Sequence, residues 1–301
     1  MVQNEGILAV RRMQNYIDGH LSEEISLSQL ARAAGYSPWY SDRLFKEYLD
    51  KTPFEYIRSL RLSKAALVLR DSETKVIDVA FDFVFDSHEG FTKAFSREFG
   101  LPPKRYSRSA PPIQLFMPYP ANDYRHTKLK GEIPMNENKN LTPVFVQIVE
   151  RPARKALLKR GVKAADYFEY CEEVGCEVWG LLTSVKEALY EPIGMWLPVS
   201  MRKGGSEYVQ GVELPQDYAK PVPEGYELAE FPPCKMMVFQ GPRYDDEEFE
   251  RAITDMWELI KTFEPAIYGY EWAENDGPRF QLAPMGYRGY IEARPVRPIN
   301  K

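Results

Sequence analysis

A chain of 301 residues is about two domains long at roughly 150 residues each. Its composition, 44% hydrophobic with 13% aromatic and 28% charged residues, is that of a globular chain and excludes general disorder. The net charge of −5 is uneven: residues 1–110 hold 16 Lys/Arg against 15 Asp/Glu, leaving 23 against 29 beyond them, so any nucleic-acid surface belongs to the N-terminal part. No run approaches the roughly 18–20 apolar residues of a membrane span, and the start MVQNEGILAVRRM is too short and charged for a secretory signal. A cytoplasmic location with no membrane partner is expected. Cys171, Cys176 and Cys234 lack zinc-type spacing, so they are expected to be plain thiols, with no metal and no cofactor.

In chain order, the first feature is a repeat. ISLSQLARAAGYSPWYSDRLFKEYLDKTPFEY returns about fifty residues later as KVIDVAFDFVFDSHEGFTKAFSREFGLPPKRY. Phe45 pairs with Phe95, Pro53 with Pro103 and Tyr56 with Tyr106 at an offset of 50, while Leu30 and Ala31 pair with Val79 and Ala80 at 49, so Asp86 is an insertion. Each copy predicts a short helix (28–34, 76–83), a turn, and a longer helix capped by Ser37 or Ser87, which is a helix-turn-helix twice over. Gly35 suits the left-handed turn of the first copy, and Val84 stands in its place in the second. Residues 54–70 contain neither Pro nor Gly and put Ile57, Leu60, Ala65 and Leu67 near one face of a single connecting helix.

The segments SLSQLARAAGYSPWYSDRLFK, RSLRLSKAALVL and FDSHEGFTKAFSREFGLPPKRYSRS resemble the AraC/XylS family of transcription regulators. That resemblance implies double-stranded promoter DNA and RNA polymerase as macromolecular partners, with a monomer able to read two successive major grooves. Carried over by position, the first recognition helix presents Trp39, Asp42 and Arg43 to bases and Lys46 to a phosphate; the second presents His88, Glu89, Thr92 and Lys93. A guanidinium can pair bidentately with guanine O6 and N7, which makes Arg43 the leading base reader.

Residues 111–141, with Pro111, Pro112, Pro118, Pro120 and Pro134 and the run NENKN, read as a linker. Beyond it, VERPARKALLKRG (149–161) and AEFPPCKMMVFQG (229–241) align at an offset of 80, and SEYVQGVEL aligns with GYRGYIEAR at the same offset. Each copy predicts a strand ending at glycine, an amphipathic helix and two further strands. The second helix carries Phe249, Ala252, Ile253, Met256, Trp257 and Ile260 at helical spacing, which places Trp257 in a core.

This region resembles the GyrI-like effector-binding family through SEYVQGVELP, VPEGYELAEFPPCKMMVFQGPRY and YIEARPVRP. The resulting expectation is an all-α double helix-turn-helix domain over 1–110, a linker over 111–141, and an α+β domain of duplicated βαββ units over 142–301. The resemblance implies a small-molecule effector, aromatic or cationic, held between the repeats by aromatic walls and a carboxylate. Trp196, Tyr208, Tyr270, Trp272 and Tyr290 are wall candidates, with Glu292 as first carboxylate and Glu271 as alternative. With only His20, His88 and His126 and no Gly-rich phosphate loop or G-x-S-x-G, an enzyme is not expected. Two alternatives accompany this reading: a hydrolase in which Glu271 and Glu292 activate water against an electrophilic ligand, and a ligand-free protein-interaction or sequestration module.

Overall fold

The computed structural model describes residues 2–118, 144–175, 177–245 and 248–299; Pro120, His126, Pro134 and the run NENKN of the expected linker, and Cys176, lie outside them. The chain divides into two compact units, one holding the described residues up to 118 with Ser184–Lys186, the other the rest.

The first unit is helical: α1 (Val2–Gly19), α2 (Leu27–Ala34), α3 (Pro38–Leu49), α4 (Pro53–Asp71), α5 (Val76–Asp82), α6 (His88–Phe99) and α7 (Pro103–Ser109). Local chemistry sets the helix starts. Ser26 with Gln29, and Thr52 with Glu55, form reciprocal capping boxes, while the Ser37 and Ser87 hydroxyls accept from the Tyr40 and Gly90 amides. The Thr52 backbone N–H holds the Glu55 carboxyl below its ordinary range.

Helix α4 serves two cores, which is why it buries residues around its circumference. Tyr56, Ile57 and Leu60 pack with Ala9, Val10, Met13, Ile17, Leu30, Leu44 and Phe45 of α1–α3, while Leu62, Ala65, Ala66 and Leu69 pack with Val79, Ala80, Phe91, Phe95 and Tyr106 of α5–α7. Leu67, expected on the buried stripe, is only partly buried. Burial pushes the Tyr56 phenol up to about 12. Residues 111–118, placed by sequence in the linker, run along this unit: Ile113 and Leu115 are buried in the second core, and the Phe116 amide donates to Ser63 Oγ at 2.8 Å.

The two helix-turn-helix turns share one geometry. Gly35 has φ 77° and Val84 φ 59°, and the following amides, Tyr36 and Phe85, donate to Ala31 and Ala80 at 3.1 and 3.0 Å. Val84 therefore adopts the left-handed conformation despite its branched Cβ, at a local cost of about 1–3 kcal/mol.

The second unit is a sheet with helices. Its elements are β1 (Phe145–Arg151), β2 (Arg154–Arg160), α8 (Tyr167–Val174), α9 (Val178–Ser184), β3 (Ile193–Trp196), β4 (Tyr208–Leu214), β5 (Glu227–Phe231), β6 (Cys234–Gln240), α10 (Phe249–Thr262), β7 (Tyr270–Trp272), β8 (Arg279–Leu282) and β9 (Ile291–Pro298). The antiparallel order is β1-β6-β9-β8-β3-β4-β2-β5, with β7 on β9. Exchanging the first repeat's β1, β2, β3, β4 with the second's β5, β6, β8, β9 reverses this order onto itself, so a pseudo-two-fold axis passes between β3 and β8.

Each repeat thus opens with one strand more than the expected βαββ unit. That strand pairs in the other repeat, β1 with β6 and β5 with β2. The repeats are interlocked, because neither can complete its sheet alone. The pairing also corrects an offset: Gly211 opposes Leu158 as Ala293 opposes Val238, so β4 and β9 are related by 82 residues and Tyr208 corresponds to Tyr290.

Candidate nucleic-acid interface and ligand cleft

On α3 the expected base-facing residues lie on the solvent side. Trp39 is 71% exposed, Arg43 and Lys46 are exposed, and Asp42 is half-buried, while Leu44 and Phe45 turn inward. The Arg43 guanidinium carbon sits 5.6 Å from the Trp39 ring centre and 5.4 Å from that of Tyr40. Two aromatic faces restrain the arginine, so it loses less conformational entropy on binding than a free one would. On α6, Glu89 and Lys93 are exposed, and His88 and Thr92 are half-buried at the start of the helix. The second face therefore presents one acidic and one basic side chain where the first presents two basic ones and an indole.

In the sheet unit the register builds one connected group. Gln210, Gly194, Gln281 and Glu292 face each other in a row across β4, β3, β8 and β9, and Tyr208, Trp196 and Arg279 form the next row across β4, β3 and β8. Side chains alternate along strands, so both rows share one face. Gly194 is required there. A Cβ at this position would lie 2.0 Å from the Tyr208 hydroxyl, which crosses it toward Gln281 Nε2 at 3.4 Å.

Glu292 is fully buried, and four donors surround its carboxylate. Arg279 Nε and Arg294 Nε each lie 2.8 Å from Oε1, Arg279 Nη2 lies 2.9 Å from Oε2, and the Tyr290 hydroxyl lies 3.1 Å from Oε2. Each guanidinium is covered by an indole, Arg279 at 4.1 Å from the Trp196 ring centre and Arg294 at 5.8 Å from that of Trp272. Burial, reinforced by the Glu292 charge, drives the Tyr290 phenol well above its ordinary range; burial likewise raises Tyr208. Both stay protonated at neutral pH and act as hydrogen-bonding groups.

Of the residues expected to form the cleft, Trp196, Tyr208, Trp272, Tyr290 and Glu292 are brought into this group. Tyr270 and Glu271 are not. Tyr270 packs in the core beneath α10, and Glu271 lies on the exposed side of β7, paired with Arg297 at 3.0 Å. Glu271 sits opposite Arg297, five residues along β9 from Glu292 and so about 16 Å away along the strand, which leaves the two carboxylates unable to share one water. Trp257 also departs from expectation: it is 37% exposed, with its indole N–H 3.1 Å from the Tyr290 hydroxyl and its ring 5.8 Å from Arg279, rather than in a core.

Arg279, Gln281 and Gln210 complete the group and carried no motif of their own. The available signal is the pair YVQG (208–211) and YIEA (290–293), which match only at the offset of 82. A separate cavity of about 220 Å³ lies between α10 and the ends of β6 and β9, lined by Tyr244, Arg251, Asp255, Met256 and Tyr290 among others. Among the described residues, Cys171 and Cys234 are in no disulfide. Among the described residues no cluster of three or more His, Cys, Asp or Glu could hold a metal ion, and no helix is long and apolar enough to cross a membrane.

Comparison with known proteins locates relatives of both parts. Residues 30–109 match the helix-turn-helix domain family. The right origin-binding protein of Escherichia coli (strain K12) is 28% identical over 272 residues, covering 86% of this chain and 83% of that protein. The regulatory protein SoxS of Salmonella typhimurium is 35% identical over 97 residues, covering 32% of this chain and 91% of SoxS. Among solved structures, an AraC-type DNA-binding domain regulator from Chromobacterium violaceum aligns with a TM-score of 0.32 at 23% identity, over 33% of this chain and 89% of that one.

Proposed function

From the premise that this chain belongs to the AraC/XylS family of transcription regulators, we propose that its two helix-turn-helix units read one asymmetric promoter site and that its sheet unit senses a small aromatic molecule. We assign the DNA-binding part to residues 1–118, whose last residues pack on its second core, the linker to the stretch that follows up to 141, and the sensor to 142–301.

The observation carrying the DNA reading is the solvent-facing set of Trp39, Arg43 and Lys46 on α3, with Arg43 held between aromatic rings. Arg43 reads a base edge and Lys46 binds a phosphate; on α6, Lys93 grips the backbone beside His88, Glu89 and Thr92, while Asp42 orients Arg43 or accepts from a cytosine amine. The 19-residue α4 spans about 28 Å and is packed into both helical cores, which suits two recognition helices entering grooves one turn, about 34 Å, apart. One chain then suffices, and RNA polymerase is recruited or blocked beside it. The name of the Escherichia coli relative, an origin-binding protein, supports DNA as the target.

Effector sensing rests on the indole, phenol and guanidinium side chains gathered around the pseudo-two-fold axis: Trp196, Tyr208, Trp257, Trp272, Tyr290 and Arg279 around Glu292. A second reading, a ligand-free interaction module, is favoured by the way this group fills itself, with Gln210, Tyr208, Tyr290 and Glu292 all buried.

The test is selection of duplexes from a random pool by the full-length protein, repeated with Arg43→Ala and Lys93→Ala. The account expects a bipartite asymmetric motif with halves about one helical turn apart, its first half degraded by Arg43→Ala and its second weakened by Lys93→Ala. A single palindromic motif, or no enrichment, contradicts it.

A further inference from the structure

We infer that the ligand taken at the centre of the sheet unit is an anion on a flat aromatic ring, with Arg279 as its charge partner. The inference rests on the sensor reading above and gives that site a ligand class.

A binding site for a cation needs an unsatisfied carboxylate or an uncovered aromatic face. Here the Glu292 carboxylate and the adjoining faces of Trp196 and Trp272 are taken from within the chain. A carboxylate offers about four acceptor positions; Glu292 accepts from Arg279 Nη2, Arg294 Nε and the Tyr290 hydroxyl, and Arg279 Nε lies 2.8 Å from Oε1 as a charge contact without a hydrogen bond. The Trp196 face is covered by the Arg279 guanidinium at 4.1 Å, and the Trp272 face by that of Arg294 at 5.8 Å. An incoming cation would have to break a buried ion pair and displace a stacked guanidinium before making any contact of its own.

An anion meets the opposite situation. Two guanidinium charges face one carboxylate charge, so the group carries an excess of one positive charge. Arg279 hydrogen-bonds Glu292 through Nη2 alone, its Nε makes no hydrogen bond, and its Nη1 finds no protein acceptor among the described residues. Arg294 engages Glu292 through Nε, leaving its terminal nitrogens without a protein acceptor among the described residues. Both side chains remain partly open to solvent, 28% for Arg279 and 22% for Arg294. A guanidinium fixed by a buried carboxylate and an indole is pre-oriented to take a second oxyanion on its free edge. Trp257, 37% exposed with its ring 5.8 Å from Arg279, supplies an aromatic surface for the body of the ligand. The positive excess and the exposed indole together select a planar aromatic oxyanion such as a carboxylate.

The experiment is isothermal titration of the full-length protein with two ring-matched probes, naphthoate and naphthylmethylammonium. Naphthoate is expected to bind at least about tenfold more tightly. Arg279→Gln, which removes the charge partner and uncovers Trp196 and one side of Glu292, is expected to lower naphthoate affinity by about tenfold or more and to reverse the preference toward the ammonium probe. The comparison in the wild-type protein decides the point even where the variant does not fold. Tighter or equal binding of the cation, or a folded Arg279→Gln variant with undiminished naphthoate affinity, overturns the anion assignment while leaving a small-molecule sensor standing. Binding of neither probe overturns both this inference and the sensor reading on which it rests.

Discussion

Removal of the buried carboxylate at position 292 is expected to be costly to the sheet unit. Glu292→Ala leaves the Arg279 and Arg294 guanidinium groups facing each other with no counter-charge, and deprives the buried Tyr290 hydroxyl of one acceptor. Breaking a fully buried ion pair by deleting one partner costs about 3–5 kcal/mol. Both arginines here keep 28% and 22% of their side-chain surface in solvent, so water screens part of that penalty and the expected loss is about 2–3 kcal/mol. Trp179, Trp196, Trp257 and Trp272, four of the chain's five tryptophans, lie in the sheet unit, so tryptophan fluorescence follows its unfolding in urea. With a slope of roughly 2–3 kcal/mol per molar, the midpoint should fall by about 1 M. Adding Arg279→Met to Glu292→Gln should recover part of the loss, since removing charges together leaves fewer of them uncompensated. A Glu292→Ala midpoint within about 0.2 M of wild type would refute the claim that this carboxylate holds the centre of the sheet together.

The helical unit yields further expectations. Arg43→Ala should cost about 1–3 kcal/mol on a selected duplex and far less on random DNA, whereas Lys46→Ala should weaken both alike and lower the salt slope by about one, as read by salt-titrated fluorescence anisotropy. Gly35→Val should destabilise the helical unit by about 1–2 kcal/mol, because it repeats at the first turn the strain that Val84 carries at the second, whereas Val84→Gly should leave stability equal or higher in a thermal melt. The Glu55 carboxyl is held below its ordinary range by the Thr52 amide, so its cap contributes fully above the unfolded carboxylate range and is lost as pH falls through the depressed value. Glu55→Ala, which removes the carboxylate, should therefore destabilise the unit at neutral pH and by less in acid, measured by urea titration at each pH.

The helical unit was largely legible because its signals are local. Ser37, Ser87, Pro53 and Pro103 mark helix starts within a few residues, and the 50-residue repeat aligns them. The first helix lies outside that repeat, although Val10, Met13 and Ile17 form a helical stripe that periodicity alone could have found. The sheet unit was legible as a duplication and much less so as a site. Its strands pair across the two repeats, so Arg279 of β8, which meets Glu292, stands opposite Trp196 of β3, and no local pattern announces that pairing. Trp257 obeys helical spacing and still escapes the core, since the Tyr290 hydroxyl and Arg279 place a polar patch where the stripe predicts an apolar one. Glu271, the alternative carboxylate in sequence, is turned outward by the pleat of β7 and pairs with Arg297.

The proposed reading of one duplex by two recognition helices rests on α4. Its most direct test is the affinity of the full-length protein for the selected site with five base pairs, about half a helical turn, inserted between the two halves. A fall to the affinity of a single half-site is expected, because α4 is packed into both cores and cannot let the second unit swing to the opposite side of the duplex. Unchanged affinity across the insertion would contradict it.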